Sequence, residues 1–169
     1  MTAYILLIAA VAAERLAEMV VSARHARWAF ERGGVEYGQA HFPVMVSMHA
    51  ALLVACVVEV VAADRPFLPW LGWPMLAVVL AAQGLRWWCI VTLGNQWNTR
   101  VIVVPGLPLV SAGPYRWLRH PNYLAVALEV AALPLVHTAW VTAVLFTSAN
   151  AVMLRVRIRV EERALATVP

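Results

Sequence analysis

The sequence predicts an all-α integral membrane protein with about five transmembrane helices, of which the last two form a short hairpin. Hydrophobic residues make up 63% of the 169-residue chain, and charged residues only 13%. The mean hydropathy of +0.74 lies far above that of soluble globular chains. Because so few polar groups cannot cover a soluble domain, we expect lipid to surround most of the surface. The length indicates one domain, residues 1–169.

Five apolar segments predict the helices. They span residues 3–21, 42–63, 68–93, 123–136 and 139–154. A helix of about 20 residues crosses a bilayer, so the first three segments are long enough and the last two are short. Pro134 and His137 mark the turn between the last two. No basic region precedes the first segment, and Glu14, Arg15 and Glu18 interrupt it, so we expect a retained helix rather than a secretory signal.

The arginines predict the orientation. All 13 basic residues are Arg. They concentrate in residues 24–32, 100–119 and 155–163, whereas the loop between the second and third segments has only Arg65. The positive-inside rule then puts the N-terminus outside and the C-terminus in the cytoplasm of a multi-pass inner-membrane protein. Topology and anionic headgroups account for the net charge of +4, so we expect membrane lipid, and no nucleic acid, as a partner.

Apart from Glu59, the polar residues inside the apolar segments lie at one depth, in the half nearer the predicted cytoplasmic side. They are Glu14, Glu18, His49, Arg86, Glu129 and Asn150. Charge exposed to lipid is costly, so these side chains must face protein or water. We therefore predict a polar cavity that opens toward the cytoplasm. The alternative is that the charged members, together with Arg15, pair with one another and are purely structural.

Polarity is also concentrated at two places outside the apolar segments. One is the run Gly-Pro-Tyr-Arg-Trp-Leu-Arg-His-Pro-Asn-Tyr at residues 113–123, and the other is Glu161 with Glu162, hereafter the Glu pair. A hairpin between them would bring both to the same edge of the membrane. Pro121 suits the first turn of a helix. Arg119, His120 and the free amides of that turn can then bind a carboxylate, with a site facing the cytoplasm.

These groups together match one small zwitterionic ligand. The Glu pair suits an ammonium group or ribose hydroxyls, and cation–π or stacking contacts are available from Tyr115, Trp117 and Tyr123. S-adenosylmethionine has a carboxylate, an ammonium, a sulfonium, a ribose and an adenine, and would use all of these groups. The alternative is that the arginines anchor the chain at the interface and the aromatic residues form a membrane belt.

The pattern Gly-x-Tyr-x-x-x-Arg-His-Pro-x-Tyr at 113–123, followed after an apolar hairpin by the Glu pair, resembles the isoprenylcysteine carboxyl methyltransferase family of integral membrane enzymes. Phospholipid N-methyltransferases share this C-terminal architecture. The resemblance covers residues from about 93 to 165. It implies that Arg119 lies near the methyl-transfer centre. The residues that it implies for the S-adenosylmethionine site are Tyr115, His120, Pro121, Tyr123, Arg159 (or Arg157 in its place), Glu161 and Glu162.

The N-terminal half resembles a bacterial branch of that family. The run Glu-Tyr-Gly-Gln-Ala-His-Phe-Pro at 36–43, with His49 downstream, carries this resemblance. Members of the branch are often linked to type III polyketide synthases, and some O-methylate alkylpyrones or alkylresorcinols. Around Trp97 and Asn98 the chain departs from the eukaryotic members, which argues against their protein substrate.

We therefore predict an enzyme that transfers a methyl group from S-adenosylmethionine to an oxygen of a lipophilic small molecule, such as an alkylpyrone or a prenylcysteine-like acceptor. Residues 1–93 would form the acceptor side and residues 94–169 the cofactor side. Arg119 would orient an anionic acceptor, whereas a phenol would need a base, for which His49 and Glu36 are candidates. Further residues predicted to contact the acceptor are His41, Arg86, Trp97 and Asn98.

Other interpretations stay open at this point. An interhelical hydrogen bond would explain His49 equally well, and its spacing from His41 suits no metal ion, so we predict no metal site. The competing functions are phospholipid N-methylation, a sterol-reductase-like activity with a nicotinamide cofactor, and a non-catalytic scaffold or transport subunit. The acidic Glu pair argues against the extra phosphate of a nicotinamide cofactor, and the one-sided polarity argues against a transporter.

Overall fold

The computed structural model describes residues 1–166, which form five helices and one two-stranded sheet. The helices are α1 Thr2–Phe30, α2 His41–Ala62, α3 Pro69–Leu93, α4 Pro121–Leu135 and α5 Trp140–Leu165. The strands are β1 Val35–Tyr37 and β2 Val101–Val103. The predicted helical class is confirmed, and the small sheet is an addition to it. The last three residues of the predicted domain lie outside the described residues.

Two helices are longer than their apolar segments predict. Neither α1 nor α5 contains Gly or Pro, the residues that most often end helices, so each continues through a charged stretch. The segment predicted to end at residue 154 therefore continues to Leu165, and the Glu pair lies on α5 rather than beyond it. This correction matters for the site, because a helix fixes the direction in which the two carboxylates point.

Among residues 1–166, three helical stretches are long and apolar enough to cross a membrane: His41–Ala62, Pro69–Gln96 and Trp140–Leu165. At about 1.5 Å per residue, the 15-residue helix α4 is only about 22 Å long. Helix α1 is long enough, but it carries Glu14, Arg15 and Glu18 in its middle. The chain is thus a helical integral membrane protein, and the number of crossings and their orientation stay predictions.

Helix α4 lies at the centre of the bundle, between α3 and α5. Its small buried residues Ala125 and Ala132 allow neighbouring backbones to come close, as is common between membrane helices. Leu133, with no exposed surface, packs in the main apolar cluster with residues of α2 and α3. The Tyr4 hydroxyl donates to the Leu133 carbonyl oxygen at 3.1 Å, which ties α1 to this centre.

At the end of the bundle away from the Glu pair, a carboxylate caps the last helix. Glu59 of α2 accepts hydrogen bonds from the backbone amides of Val141 and Thr142 at 3.2 and 2.7 Å, and pairs with Arg65 at 2.8 Å. Amides at a helix start otherwise lack partners. The hairpin turn between α4 and α5 falls where Pro134 and His137 predict it, and Thr138 in that turn has a positive φ of 55°.

The sheet joins the loop after α1 to the loop after α3. Strands β1 and β2 are antiparallel, with Glu36 opposite Ile102. The Ser22 hydroxyl of α1 donates to Asn98 at 2.8 Å, and Asn98 donates back to the Ser22 carbonyl oxygen at 3.1 Å. These bonds hold the segment from Trp97 to Val104 against the end of the bundle where α4 begins and α5 ends.

Candidate functional site

Two cavities open at this end of the bundle and share one wall. The first, hereafter the polar cavity, has a volume of about 950 Å³ and lies between the loops around β2, the start of α4 and the end of α5. The second, hereafter the apolar cavity, has a volume of about 320 Å³ and is lined mainly by α1, α2 and α5. The residues that line both cavities are Trp97, Asn122, Tyr123 and Arg157.

The start of α4 forms one side of the polar cavity. His120 is the N-cap and Pro121 is the first helical residue, as the sequence predicts. The amides of Tyr123 and Leu124 donate to the His120 carbonyl oxygen at 3.1 and 3.2 Å, so these two are not free for a ligand. The expectation that amides of this turn bind an anion is therefore narrowed to the amide of Asn122, because Pro121 has no N–H. The side chains of Arg119 and His120, which both line the cavity, are the available groups.

The Glu pair faces His120 across the polar cavity. The imidazole Nδ1 lies 3.5 Å from a carboxylate oxygen of Glu161, and Nε2 lies 3.6 Å from one of Glu162. The Tyr123 hydroxyl also donates to Glu161. The hydrogen bond with Glu161 raises the pKa of His120, although partial burial acts in the opposite direction. Two carboxylates and one imidazole leave net negative charge here, which suits a cationic group.

Arg157, rather than Arg159, lies at the site. Arg157 is 4% exposed, its Nη2 donates to the Thr99 carbonyl oxygen at 2.7 Å, and its guanidinium lies 5.7 Å from the centre of the Tyr123 ring. Arg159 is exposed and lines neither cavity. At 100° per residue, positions 157 and 161 share a helix face, whereas position 159 points elsewhere. Of the two arginines that the sequence leaves open for the cofactor site, Arg157 is therefore the one that lines a cavity.

The loop before α4 brings one of its aromatic residues into the polar cavity and leaves another outside. Tyr115, in a 3-10 turn at Gly113–Arg116, lines the polar cavity. Burial raises the pKa of Tyr115, so its hydroxyl stays protonated at neutral pH. Trp117 is 69% exposed and packs edge-to-face on Trp88, outside both cavities, so its position does not support the predicted stacking role. Pro121, predicted for the cofactor site, is buried at the start of α4 and lines neither cavity.

The residues predicted for the acceptor side separate into two groups. Trp97 is 2% exposed and lines both cavities. Asn98 lines the polar cavity only, where it is held by Ser22. His41 and Glu36 line neither cavity: His41 begins α2, and Glu36 pairs with Arg100 at 3.2 Å beside the sheet.

His49 lines the apolar cavity with a defined tautomer. Its Nδ1 lies 2.8 Å from the Met45 carbonyl oxygen. A carbonyl oxygen only accepts hydrogen bonds, so Nδ1 carries the proton, and Nε2 of the neutral ring keeps its lone pair. This arrangement leaves Nε2 able to accept a proton from a molecule in the cavity.

The polar layer predicted inside the helices is present and is largely paired within itself. Arg15 contacts Glu18 at 2.7 Å, Arg86 contacts Glu18 at 3.2 Å, and both arginines pair with Glu129. We call these four residues the ion cluster. The alternative of structural ion pairs therefore describes most of the layer, including Arg86, which was predicted to contact the acceptor. Arg15, Glu18 and Arg86 nevertheless form part of the apolar cavity wall.

Comparison with known proteins decides the family. Residues 75–167 match the model of the isoprenylcysteine carboxyl methyltransferase (ICMT) family. The chain belongs to this family. Its members are S-adenosylmethionine-dependent methyltransferases, so the chain is assigned to a family of membrane methyltransferases. The family resemblance predicted from the sequence is thereby confirmed, whereas the bacterial branch stays a prediction.

Two bacterial relatives extend the similarity over nearly the full length. A protein of Bacillus subtilis (strain 168), named "Uncharacterized protein YpbQ", is 42% identical over 161 residues, which cover 95% of each chain. An "Uncharacterized protein" of Haemophilus influenzae (strain ATCC 51907 / DSM 11121 / KW20 / Rd) is 26% identical over 161 residues, covering 94% of this chain and 92% of the other. Neither name states a substrate.

The ICMT match covers the two cavities unequally. The matched region includes α4, α5 and almost the whole wall of the polar cavity. Helices α1 and α2, which supply about half of the apolar cavity wall, precede it. The match therefore covers nearly all of the polar cavity wall but only about half of the apolar cavity wall.

Two cavity residues, Asn122 and Asn150, are not among those that the sequence predicts for the site. Asn122 lines both cavities from the first turn of α4, and Asn150 of α5 lines the apolar cavity at 2% exposure. For Asn150, the sequence signal that could have identified it as a cavity residue was an Asn inside an apolar helix. For Arg157, the signal was its spacing of four residues from Glu161, which places both on one helix face.

Proposed function

We propose that the protein transfers a methyl group from S-adenosylmethionine to an oxygen atom of a lipophilic small molecule in the membrane. The observation that carries this proposal is the wall shared by the two cavities. A water-soluble ligand in the polar cavity and a lipid-soluble one in the apolar cavity would meet at Tyr123 and Arg157. Neither cavity alone would explain why a methyltransferase has its site inside a membrane bundle.

The polar cavity fits the cofactor in size and in chemistry. Its volume of about 950 Å³ is at the upper end of the range for small-molecule sites. Arg119 and His120 suit the carboxylate, and the Glu pair suits the ammonium group or the ribose hydroxyls. The Tyr123 ring, which the Arg157 guanidinium and the His120 imidazole contact, lines the same cavity. When bound, S-adenosylmethionine supplies an already activated methyl group, which the acceptor oxygen takes as the bond from carbon to sulfur breaks.

The chain's own contribution is to align the acceptor, exclude water and handle one proton. Arg157, which lines both cavities, is better placed than Arg119 to face an acceptor anion, because Arg119 lines the polar cavity only. An enolate or carboxylate needs no base. A phenol or enol would give its proton to Nε2 of His49, whose other ring nitrogen is engaged by Met45.

The acceptor class follows from the apolar cavity and from the resemblance to the bacterial branch. An alkylpyrone, an alkylresorcinol or a prenylcysteine-like molecule combines a small oxygen-bearing head with an apolar tail, and a type III polyketide synthase pathway would supply the first two. The Arg-rich segments lie at the end of the bundle that holds the polar cavity, which supports a site facing the cytoplasm from the inner membrane.

Calorimetry with S-adenosylhomocysteine on the detergent-purified protein tests the cofactor site. We expect saturable binding by the wild type and a loss of at least about tenfold in Glu161→Gln and in Arg119→Ala, because each removes a charge-assisted hydrogen bond. Arg163→Gln is the matched control, since Arg163 is exposed on α5 and lines neither cavity. A folded wild type that does not bind would contradict the methyltransferase proposal.

A further inference from the structure

The outward face of α5 changes from apolar to cationic along the helix. Its second half carries three exposed arginines, four residues apart, which we call the arginine ladder: Arg155, Arg159 and Arg163. At 100° per residue the ladder falls within an arc of about 80° on the side of α5 opposite the buried Arg157. The same arc in the first half of the helix holds exposed apolar residues, namely Val141, Leu145 and Val152.

The protein does not neutralise the ladder. Among residues 1–166, none of the three arginines forms an ion pair with a carboxylate. The Glu pair is the nearest acidic group along α5, but its carboxylates face His120 at 3.5 and 3.6 Å. No ladder residue lines either cavity, so a ligand in those cavities would not neutralise these charges.

Tryptophans at the opposite end of the bundle indicate how deep the ladder lies in the membrane. Trp70 and Trp73 at the start of α3 and Trp140 at the start of α5 are 70%, 63% and 42% exposed. Exposed Trp is typical of the membrane interface, so these side chains mark one edge of the hydrocarbon layer. Helix α5 is long and apolar enough to cross that layer. At about 1.5 Å per residue, Arg155 lies only about 22 Å from Trp140, inside a layer of about 30 Å.

An arginine at this depth needs an anionic partner, because an unpaired charge in hydrocarbon is costly. The long side chain of Arg155 can extend toward the nearer headgroups while its methylene groups stay in lipid. The acceptors available there are lipid phosphates, which a guanidinium can bind through two parallel hydrogen bonds. Acyl chains below a bound phosphate would then lie along Val152 and Leu145, on the same face of α5.

The charge of the ladder selects among phospholipids. A zwitterionic phospholipid also has a phosphate, but three neighbouring arginines would repel its cationic group. A headgroup with a phosphate and hydroxyls but no cation, as in phosphatidylglycerol, keeps the attraction without that repulsion. An acidic protein segment would match the charge, but it would not explain why the ladder begins inside the hydrocarbon layer.

We propose that the arginine ladder is a binding site for an anionic phospholipid, with the phosphate on the guanidinium groups and the acyl chains on the apolar half of the same helix face. The site is separate from both cavities, so this inference does not depend on the proposed methyl transfer. A lipid bound there holds the end of α5 at the membrane surface, and that end carries the Glu pair on another face.

Native mass spectrometry of the full-length protein in neutral detergent tests the site by giving the Kd of the first bound lipid. The probes are dioleoylphosphatidylglycerol and dioleoylphosphatidylcholine, which have the same acyl chains. Each basic residue near a lipid surface strengthens the binding of anionic lipid about fivefold. We therefore expect the wild type to bind the phosphatidylglycerol at least about tenfold more tightly than the phosphatidylcholine.

A double variant and a control of equal charge separate a local site from an effect of net charge. Arg155→Gln/Arg159→Gln should weaken phosphatidylglycerol binding at least about tenfold and leave phosphatidylcholine binding within about twofold. The control, Arg24→Gln/Arg27→Gln, also removes two exposed arginines and should stay within about twofold for both lipids. Those two lie about 30 Å or more along α1 from Tyr4, which contacts the α4–α5 turn, so water reaches them beyond the hydrocarbon edge.

Thermal unfolding in dioleoylphosphatidylcholine nanodiscs, with and without the phosphatidylglycerol, gives a second measurement. The anionic lipid should raise the Tm of the wild type and the control but not of the ladder variant, because a ligand of the folded state stabilises it. If the double variant does not fold by circular dichroism, Arg155→Gln alone should weaken binding about fivefold. Equal affinity of the wild type for both lipids, or equal losses in the two double variants, would overturn the proposal.

Discussion

Two groups of charged residues lie in the same half of the bundle and differ in how fully they pair. In the ion cluster, Glu18 and Glu129 contact Arg15 and Arg86 with side chains that are at most 17% exposed. In the polar cavity, His120 lies 3.5 and 3.6 Å from the Glu pair, whose side chains are 31% and 51% exposed. The first group neutralises itself, and the second keeps hydrogen-bonding capacity for something else.

The difference teaches how to separate structural from functional charge inside a membrane protein. Buried charges without partners are strongly destabilising, so a closed cluster is required wherever no ligand arrives. Charges at the mouth of a cavity remain hydrated and can be left half-paired at small cost. Depth and residue type do not distinguish the groups, because both contain glutamates with cationic neighbours. The contacts do.

The largest effect is expected from opening the ion cluster. Glu129→Leu leaves two buried arginines facing one remaining glutamate, and losing one partner of a buried pair costs about 3–5 kcal/mol. For a chain of this size, that corresponds to a fall in Tm of roughly 6–20 °C. Thermal unfolding in detergent measures it, with the exposed Glu31→Gln as the control. A Tm within about 2 °C of the wild type would mean that the cluster is not structural.

The second largest effect is expected on methyl transfer, in a comparison of the two arginines that precede the Glu pair. Arg157→Gln removes a buried charge from the shared wall, so we expect kcat/KM for methyl transfer to fall by about 10- to 150-fold, as for a lost charged hydrogen bond. Arg159→Gln should stay within about twofold of the wild type, because Arg159 is exposed and lines neither cavity. The reverse order would restore the assignment that the family resemblance implied.

A smaller effect is expected from His120 in the polar cavity, as a change of thermal stability with pH. The pKa of His120 is raised above its ordinary value of 6.5 by the hydrogen bond with Glu161. Its stabilising contribution is therefore fully present below pH 6.5 and is lost as the pH rises through the raised pKa. The Tm difference between wild type and His120→Gln should shrink over that interval. A difference that stays constant from acidic to alkaline pH would show that His120 stays uncharged.

The smallest effect is expected at the sheet. Glu36 pairs with a partly exposed Arg100 side chain, and such pairs contribute about 0–1 kcal/mol. Because Glu36 lines neither cavity, Glu36→Gln should leave methyl transfer within about twofold and lower the Tm by only a few degrees. His49→Gln is the informative comparison. If Glu36→Gln were the more damaging of the two for a phenolic acceptor, Glu36 rather than His49 would be the base.

The sequence alone determined the helical membrane class, the family and several of the residues that line the polar cavity. Hydropathy reports the surrounding solvent directly, and residues 113–123 with the Glu pair are local patterns whose chemistry can be read from residue types. His120 and Tyr123 line the cavity from the start of α4, and Tyr115 lines it from the 3-10 turn that precedes α4. The turn near Pro134 and His137 was predictable because it too is a local pattern.

Only the tertiary structure decided which charges pair and which face a cavity. Arg86 and Arg157 are both buried arginines in apolar helices, yet one pairs with two carboxylates and the other keeps two unpaired nitrogens. Periodicity gives the face of a helix but not what packs against it. The wall shared by the two cavities depends on contacts between distant segments, which no local pattern specifies.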